Sequence, residues 1–202
     1  MAITVCQCPI STTLASIVTD INDCKVEIGQ IQKMIFWRHG NYLTAVASGI
    51  SSAVWTVKLT ATGDTKAVVT PMCSLVIPQT EIREIGSGNE VLNGIPIQIG
   101  TLPAKVEGHF WQTSQATIRA IKALGCEDLD VLFINENNQL VYDNTSSRVY
   151  GFRVTSLFVS DMSAGSYTDG TKNKFQFYLS GGWSDYATLS TATTFLLDMV
   201  NT

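Results

Sequence analysis

EGHFWQTSQATIRAIKALGCEDLDVLFINENNQLVYDNTSSRVYGFRVTSLF, residues 107–158, is the stretch whose reading decides the fold. It reads as strand, helix, strand, turn, strand, strand. Trp111 ends an extended segment, and Thr113 or Ser114 supplies the side-chain oxygen that caps the helix after it. Ile118, Ile121 and Leu124 then recur at three-residue steps on one face, with Arg119 and Lys122 pointing elsewhere, so these three apolar residues form the structural stripe of the helix. Gly125 stands where a left-handed C-cap is wanted. Val131-Leu132-Phe133-Ile134 is too short for a helix and too apolar for an exposed strand, which predicts a fully buried strand. Asn137-Asn138 turns the chain, and Leu140 to Tyr142 returns. The expected class is mainly β (α+β). The architecture would be a β-sandwich or rolled sheet with one packed α-helix and a long hairpin arm, plus a short N-terminal helix.

Toward the C-terminus, Val149 to Val159 reads as one strand with Phe152, Val154 and Leu157 inward. A polar loop is expected from Ser160 to Asn173, an alternating strand from Lys174 to Leu179, and a closing turn at Gly181-Gly182-Trp183. Phe195 to Val200 is a last apolar run. Toward the N-terminus, Gln30 to Arg38 reads as strand and His39-Gly40-Asn41 as its turn. Val54 to Thr60 alternates, with Trp55, Val57 and Leu59 on one face, and is expected to be a strand. Thr62-Gly63-Asp64 turns into a strand over Ala67 to Thr70. Cys73 to Ile77, between Pro71 and Pro78, suits an edge strand.

Residues 79–100 form the most unusual segment. Gly86, Gly88, Gly94 and Gly100 punctuate it, Asn93-Gly94 is a hairpin turn pair, and Ile95, Ile97 and Ile99 alternate. Long excursions of this kind are functional or disordered, and the hairpin pattern favours an arm that orders on another subunit. A second apolar stripe, Leu14, Ile17, Val18 and Ile21, follows the capping residue Ser11 at helical spacing. It either folds back on its own β-core or docks on a neighbour. Candidate inter-subunit residues are therefore Ile82, Ile85, Val91, Leu92, Ile95 and Ile97 of the arm, with Leu14, Ile17 and Val18. The expected organisation is an N-terminal arm and short helix over residues 1–28, then a single β-rich assembly domain over 29–202 carrying the arm at 79–100.

Charged residues make up 15% of the 202 residues and apolar ones 45%, where a soluble domain usually carries about 25% charge. Either other subunits cover part of the surface, or neutral Ser, Thr and Asn keep it wet. A net charge of -4 argues against a general nucleic-acid binder, which would show a basic patch; an acidic wall would instead let DNA pass without sticking. No run of apolar residues is long enough for a membrane span, and the N-terminus lacks the pattern of a signal peptide. Synthesis in the cytosol is expected.

Five cysteines, Cys6, Cys8, Cys24, Cys73 and Cys126, are odd in number and scattered, so free thiols are expected rather than a disulfide framework. Zinc would need a fourth ligand beside Cys6, Cys8 and Cys24. Glu107 and His109 share a strand face without a third ligand. Gly86-Ser87-Gly88 lacks the fuller nucleophile-elbow and phosphate-loop patterns. Glu127, Asp128 and Asp130 follow a helix C-terminus, where negative charge opposes the dipole and calls for a basic neighbour. No catalytic, metal or cofactor site is expected, and no enzymatic activity.

Several pieces together resemble virion structural proteins of tailed bacteriophages of Bacteroidetes-type hosts. They are the opening Cys6-Gln7-Cys8-Pro9, the strand entrance Ile28-Gly29-Gln30-Ile31, the run Met34 to Gly40, the Ala61-Thr62-Gly63-Asp64 turn, the Gly86-Ser87-Gly88-Asn89-Glu90 loop reaching Gly94-Ile95-Pro96, and the helix end Ala123-Leu124-Gly125-Cys126-Glu127. The resemblance implies a ring-forming subunit of the tail tube or head-to-tail conduit, with one packed helix and a hairpin reaching the next ring. It also implies a homo-oligomeric ring, other tail, connector or capsid proteins as partners, transient passage of DNA, no membrane, and a place in the virion after synthesis in the host cytoplasm. An auxiliary capsid protein of the phage head is the alternative within the same class. A soluble ligand-binding β-domain with Trp37, Trp55, Trp111 and Trp183 lining a pocket is the alternative from another class.

Overall fold

The run Val131 to Ile134 is apolar throughout because both faces of its strand, β8 (Leu129–Asn135), are covered. The computed structural model describes residues 28–44, 52–86, 97–163 and 170–190. Strand β1 (Ile31–Arg38) runs antiparallel along β8, from Arg38 opposite Leu129 to Ile31 opposite Asn135. Alternation then sorts the pair between two cores. Met34, Phe36, Val131 and Phe133 enter the first; Ile35, Trp37, Leu132 and Ile134 enter the second.

The other edge of β8 is shared. Its first half pairs β11 (Phe152–Ser163) and its second half β9 (Leu140–Asp143). One wing of the sheet continues from β9 to β10 (Arg148–Tyr150) and β2 (Tyr42–Thr44). The other runs from β11 to β12 (Lys172–Leu179), β7 (Ala104–Trp111) and the edge strand β4 (Cys73–Val76). Two short strands add to these, β3 (Val68–Val69) on β1 and β13 (Ala187–Leu189) on β9. Buried Thr70 bridges the edge of β1. Its N–H donates to the Met34 carbonyl at 2.9 Å, and its Oγ1 accepts from the Met34 N–H at 3.0 Å. The chain reaches β4 within three residues of this bridge, which draws β4 toward β1 and curls the sheet. The result is a mixed α+β fold: an antiparallel sheet rolled into a half-barrel, with two α-helices among the described residues.

Phe36, Phe110, Phe133, Phe152, Phe175 and Phe177 fill the inside of the curl. Helix α2 (Gln115–Leu124) starts where Ser114 Oγ accepts the Thr117 N–H at 3.2 Å. It buries Ile118 and Ile121 against this core, with Leu124 partly covered. Gly125 is not in the left-handed conformation expected of it: its φ of -61° is right-handed. Glycine is needed for space instead, since an added Cβ would lie 2.8 Å from the Leu157 carbonyl oxygen.

Val54 to Thr60 is helix, not the expected strand. It lies within α1 (Ser52–Thr60), which covers the second core. The alternating pattern is also satisfied at helical spacing. Val54, Trp55, Lys58 and Leu59 are covered while Thr56, Val57 and Thr60 are exposed, a helical and not a two-residue period. The β-branched content favours a strand, but Trp55 stacks on Trp37 with ring centroids 5.9 Å apart, and the packing overrides propensity.

Two further boundaries differ from expectation. The single strand over Val149 to Val159 is broken at Gly151, where a Cβ would meet Asp130 Cβ at 2.7 Å and Trp37 Nε1 at 3.0 Å. Past that break, Ser156 at φ 55° shifts the register, so the core-facing set passes from Phe152 and Val154 to Leu157 and Val159. The expected polar loop over Ser160 to Asn173 is strand at both ends, because β11 runs to Ser163 and β12 begins at Lys172. The stripe from Leu14 to Ile21, the Asn93-Gly94 turn and the run Phe195 to Val200 lie outside the described residues.

The α1 assignment makes a specific prediction. Trp55→Ala should destabilise the fold by about 3–5 kcal/mol, the usual cost of truncating a buried aromatic. Val57→Thr, at a position 68% exposed, should stay within about 0.5 kcal/mol of the wild type in urea unfolding. A strand with Trp55 and Val57 on the same buried face would make both substitutions costly.

Candidate functional site

Among the described residues, strands β5 (Ile82–Ile85) and β6 (Ile97–Thr101) pair only with each other and form a sheet separate from the main one. The Leu102 N–H donates to the Glu81 carbonyl at 2.8 Å and closes the base of this ribbon. Ile85 lies opposite Ile97 and Ile82 opposite Thr101. Between these pairs Arg83 faces Gly100 and Glu84 faces Gln98, which leaves Ile99 as the extra residue of a bulge. Bulges sharpen the twist of a ribbon and resist flat edge-to-edge pairing.

Every strand residue of the ribbon is exposed. Ile82, Ile85, Ile97 and Ile99 keep 54%, 56%, 47% and 45% of their surface in water. A two-stranded hairpin is marginal on its own, and covering each half-exposed isoleucine would contribute on the order of 1 kcal/mol. The structure therefore places Ile82, Ile85 and Ile97 of the sequence-derived set on one ribbon. Val91, Leu92, Ile95, Leu14, Ile17 and Val18 fall outside the described residues. Ile99 and Leu102 are exposed as well. The Ile95-Ile97-Ile99 alternation pointed to the first, whereas nothing local marked the second.

The remaining candidates resolve into ordinary structural partnerships. Arg38 pairs with Glu127 at 2.8 Å and with Asp64, while Arg153 pairs with Asp128 at 3.0 Å. The acidic cluster past α2 thus has the basic neighbours its position calls for, although exposed pairs of this kind add little stability. Glu107 is held below its ordinary value by hydrogen bonds first from Lys105 and then from Lys174, and His109 lies beside the Trp111 ring. Burial pushes the Cys73 thiol up to about 12, with a hydrogen bond from Thr70 acting the other way, so it is no nucleophile. Cys126 is free and exposed. Among the described residues no group of three or more His, Cys, Asp or Glu could hold a metal ion. No described helix is long and apolar enough to cross a membrane.

The four tryptophans do not form a box. Trp37 and Trp55 stack inside the second core, and Trp111 is exposed on the outer face of β7 with Lys172 over its ring. Trp183 packs edge-on against Phe152 with centroids 5.2 Å apart. It alone of the four borders a cleft of about 400 Å³, together with Tyr150, Tyr186, Arg153 and the His39–Asp130 pair. Asp130 is buried at the head of β8. Its Oδ1 is 2.8 Å from His39 Nδ1, and its Oδ2 accepts the Gly40 N–H at 3.2 Å. Burial raises its carboxyl above the ordinary 3.8, opposed by the His39 hydrogen bond and charge and by the Gly40 N–H. The pairing joins residues far apart in the chain; its only trace in the sequence is a carboxylate heading an apolar run.

No protein-family model matches the chain, and no curated protein does. Among solved structures, the chain is similar to one in "Virion of native gene transfer agent (GTA) particle". The identity is 16% and the TM-score 0.30, over 59% of this chain and 82% of that one. It is similar at the same identity and TM-score to a chain of "Tail of empty GTA particle computed with helical refinement, C6 symmetry", over 59% and 80%. Likeness at this level bears on no residue of the site.

The raised Asp130 carboxyl fixes the sign of a pH effect. A folded-state value above the unfolded one favours the protonated fold, so this contribution is complete below the ordinary carboxylate range and is lost as pH rises through the folded value. The stability of the wild type relative to Asp130→Asn should therefore fall across the window immediately above pH 3.8. Urea unfolding of both proteins at stepped pH measures this difference. A difference that instead grows with pH there would mean that His39 outweighs burial.

Proposed function

We propose that the chain is a structural subunit of a bacteriophage virion, self-assembling into rings of the tail tube or head-to-tail conduit through which DNA passes. The observation that carries this reading is the β5–β6 ribbon. Four isoleucines of a thin, detached hairpin stay half in water, a state that association with a neighbouring subunit would relieve. Val91, Leu92 and Ile95 would extend the same surface, making residues 79–100 the arm of an assembly domain over 29–202.

Composition supports the reading from a second direction. A chain with 15% charged residues and a net charge of -4 has limited means to solvate itself and no excess of basic groups to hold DNA. The resemblance of its sequence to virion proteins of tailed phages names the setting. Its partners would be copies of itself and other tail, connector or capsid proteins, and its place the virion after synthesis in the host cytoplasm.

Light scattering with negative-stain imaging of the purified protein tests the proposal. Closed rings or stacked tubes are expected, and a monodisperse monomer at every concentration would overturn it. The double variant Ile85→Asp, Ile97→Asp should abolish stacking while leaving unfolding free energy within about 0.5 kcal/mol of the wild type, as for exposed positions generally. If that variant still builds tubes, the ribbon is not the contact.

A further inference from the structure

The two ends of the half-barrel are finished differently. Register places Trp111 of β7 opposite Lys172 of β12, and Ala104 opposite Leu179 at the far end. Helix α2 leaves from the Trp111 end and covers the core there with Ile118, Ile121 and Leu124. Trp183 follows Leu179 at the other end. There it lines an apolar groove of about 180 Å³ with Ile28, Gly29, Ile31, Leu75 and Ile77. Ile28, Leu75, Ile77 and Trp183 all pack on the first core yet remain partly exposed, so the groove is a gap in the cover of that core.

The chain enters the described structure inside this groove, and its point of entry is pinned. Asn135 Nδ2 donates to the Ile28 carbonyl at 3.1 Å, and the Gln30 N–H donates to Glu136 Oε2 at 3.0 Å. In return, the Glu136 N–H donates to the Gln30 carbonyl at 2.9 Å. Residues 1–27 therefore start from a fixed position at the groove wall. They contain Leu14, Ile17, Val18 and Ile21, spaced as one face of a helix about 10 Å long. Ile21 is seven residues before Ile28, and an extended link of that length reaches at most about 25 Å. So short a tether holds the stripe near the groove at a far higher effective concentration than a second molecule could reach.

We propose that the Leu14–Ile21 stripe of the same chain seats in the Ile28–Ile77–Trp183 groove and covers this end of the half-barrel as α2 covers the other. The occupant is apolar, matched in period to a helix face, and tethered at the groove itself. This assigns Leu14, Ile17 and Val18 to the subunit's own core and leaves contacts between subunits to the ribbon. It holds whether or not the chain forms rings.

Photo-crosslinking of the full-length chain tests it. Ile17 is replaced by p-benzoylphenylalanine, and unlabelled and 15N-labelled protein are purified, unfolded together, refolded as a mixture, irradiated and digested for mass spectrometry. The expected products join position 17 to Leu75, Ile77 or Trp183 within same-label chains, with mixed-label products absent. Mixed-label links to those residues would overturn the same-chain assignment in favour of exchange between copies. Links confined to other residues, or none, would overturn the groove itself.

Discussion

The structure depends on one strand pair. β1 and β8 lie side by side along their whole length, and each is apolar on both faces because a separate core forms on each side. Water is excluded from both faces at once, so no residue from Met34 to Trp37 or from Val131 to Ile134 can be traded for a polar one without opening a core. The rest of the main sheet and both described α-helices are arranged to cover this pair. The curl of β11, β12, β7 and β4 with α2 encloses one face, and β9, β10 and β2 with α1 enclose the other.

Charged and amide side chains buried in such a pair call for hydrogen-bond partners, and Asp130 and Asn135 have them. Asp130 sits at the head of β8 with its two oxygens committed to His39 and Gly40. Asn135 sits at the opposite end, donating to Ile28 and Gln139 and accepting from the N–H groups of Asn137 and Gln139. One residue locks the turn after β1 onto β8; the other locks the turn after β8 and the start of the described chain. The buried strand is thus clamped at both ends by side chains that fix register, since sliding it by one residue would strand either group without partners.

The features legible in the sequence are those in which burial leaves a local mark. Val131 to Ile134 could be read as a two-faced strand because it has no polar side, and α2 because its cap and its stripe lie within a dozen residues, whereas the space limit at Gly125 comes from Leu157, remote in sequence. Val54 to Thr60 could not, since seven residues satisfy both a two-residue and a helical period. The choice between them is made by Trp37, which is remote in sequence and supplies the stacking partner for Trp55. The break at Gly151 was hidden for a similar reason: its cause is the close approach of Asp130 and Trp37. Of the assembly candidates, Ile97 carries a local mark, alternation beside glycine turns, whereas Ile82 and Ile85, three residues apart, do not. Their isolation from the main sheet follows from topology, which no window of residues displays.

Among the described residues, both wings of the main sheet end in short strands. β2 and β4 end its two wings and are three and four residues long, and β3 and β13 are no longer. Edges this short present few unpaired backbone groups to a neighbour, which is how natural sheets avoid uncontrolled pairing. The β5–β6 ribbon escapes that restraint by leaving the sheet, and its bulge keeps it from acting as a flat template in turn. A contact made there must therefore be specified by side chains, chiefly the isoleucines, more than by backbone hydrogen bonds. Side-chain docking on a twisted ribbon admits few orientations, and a single repeated orientation is the condition for a ring to close instead of growing into an irregular aggregate.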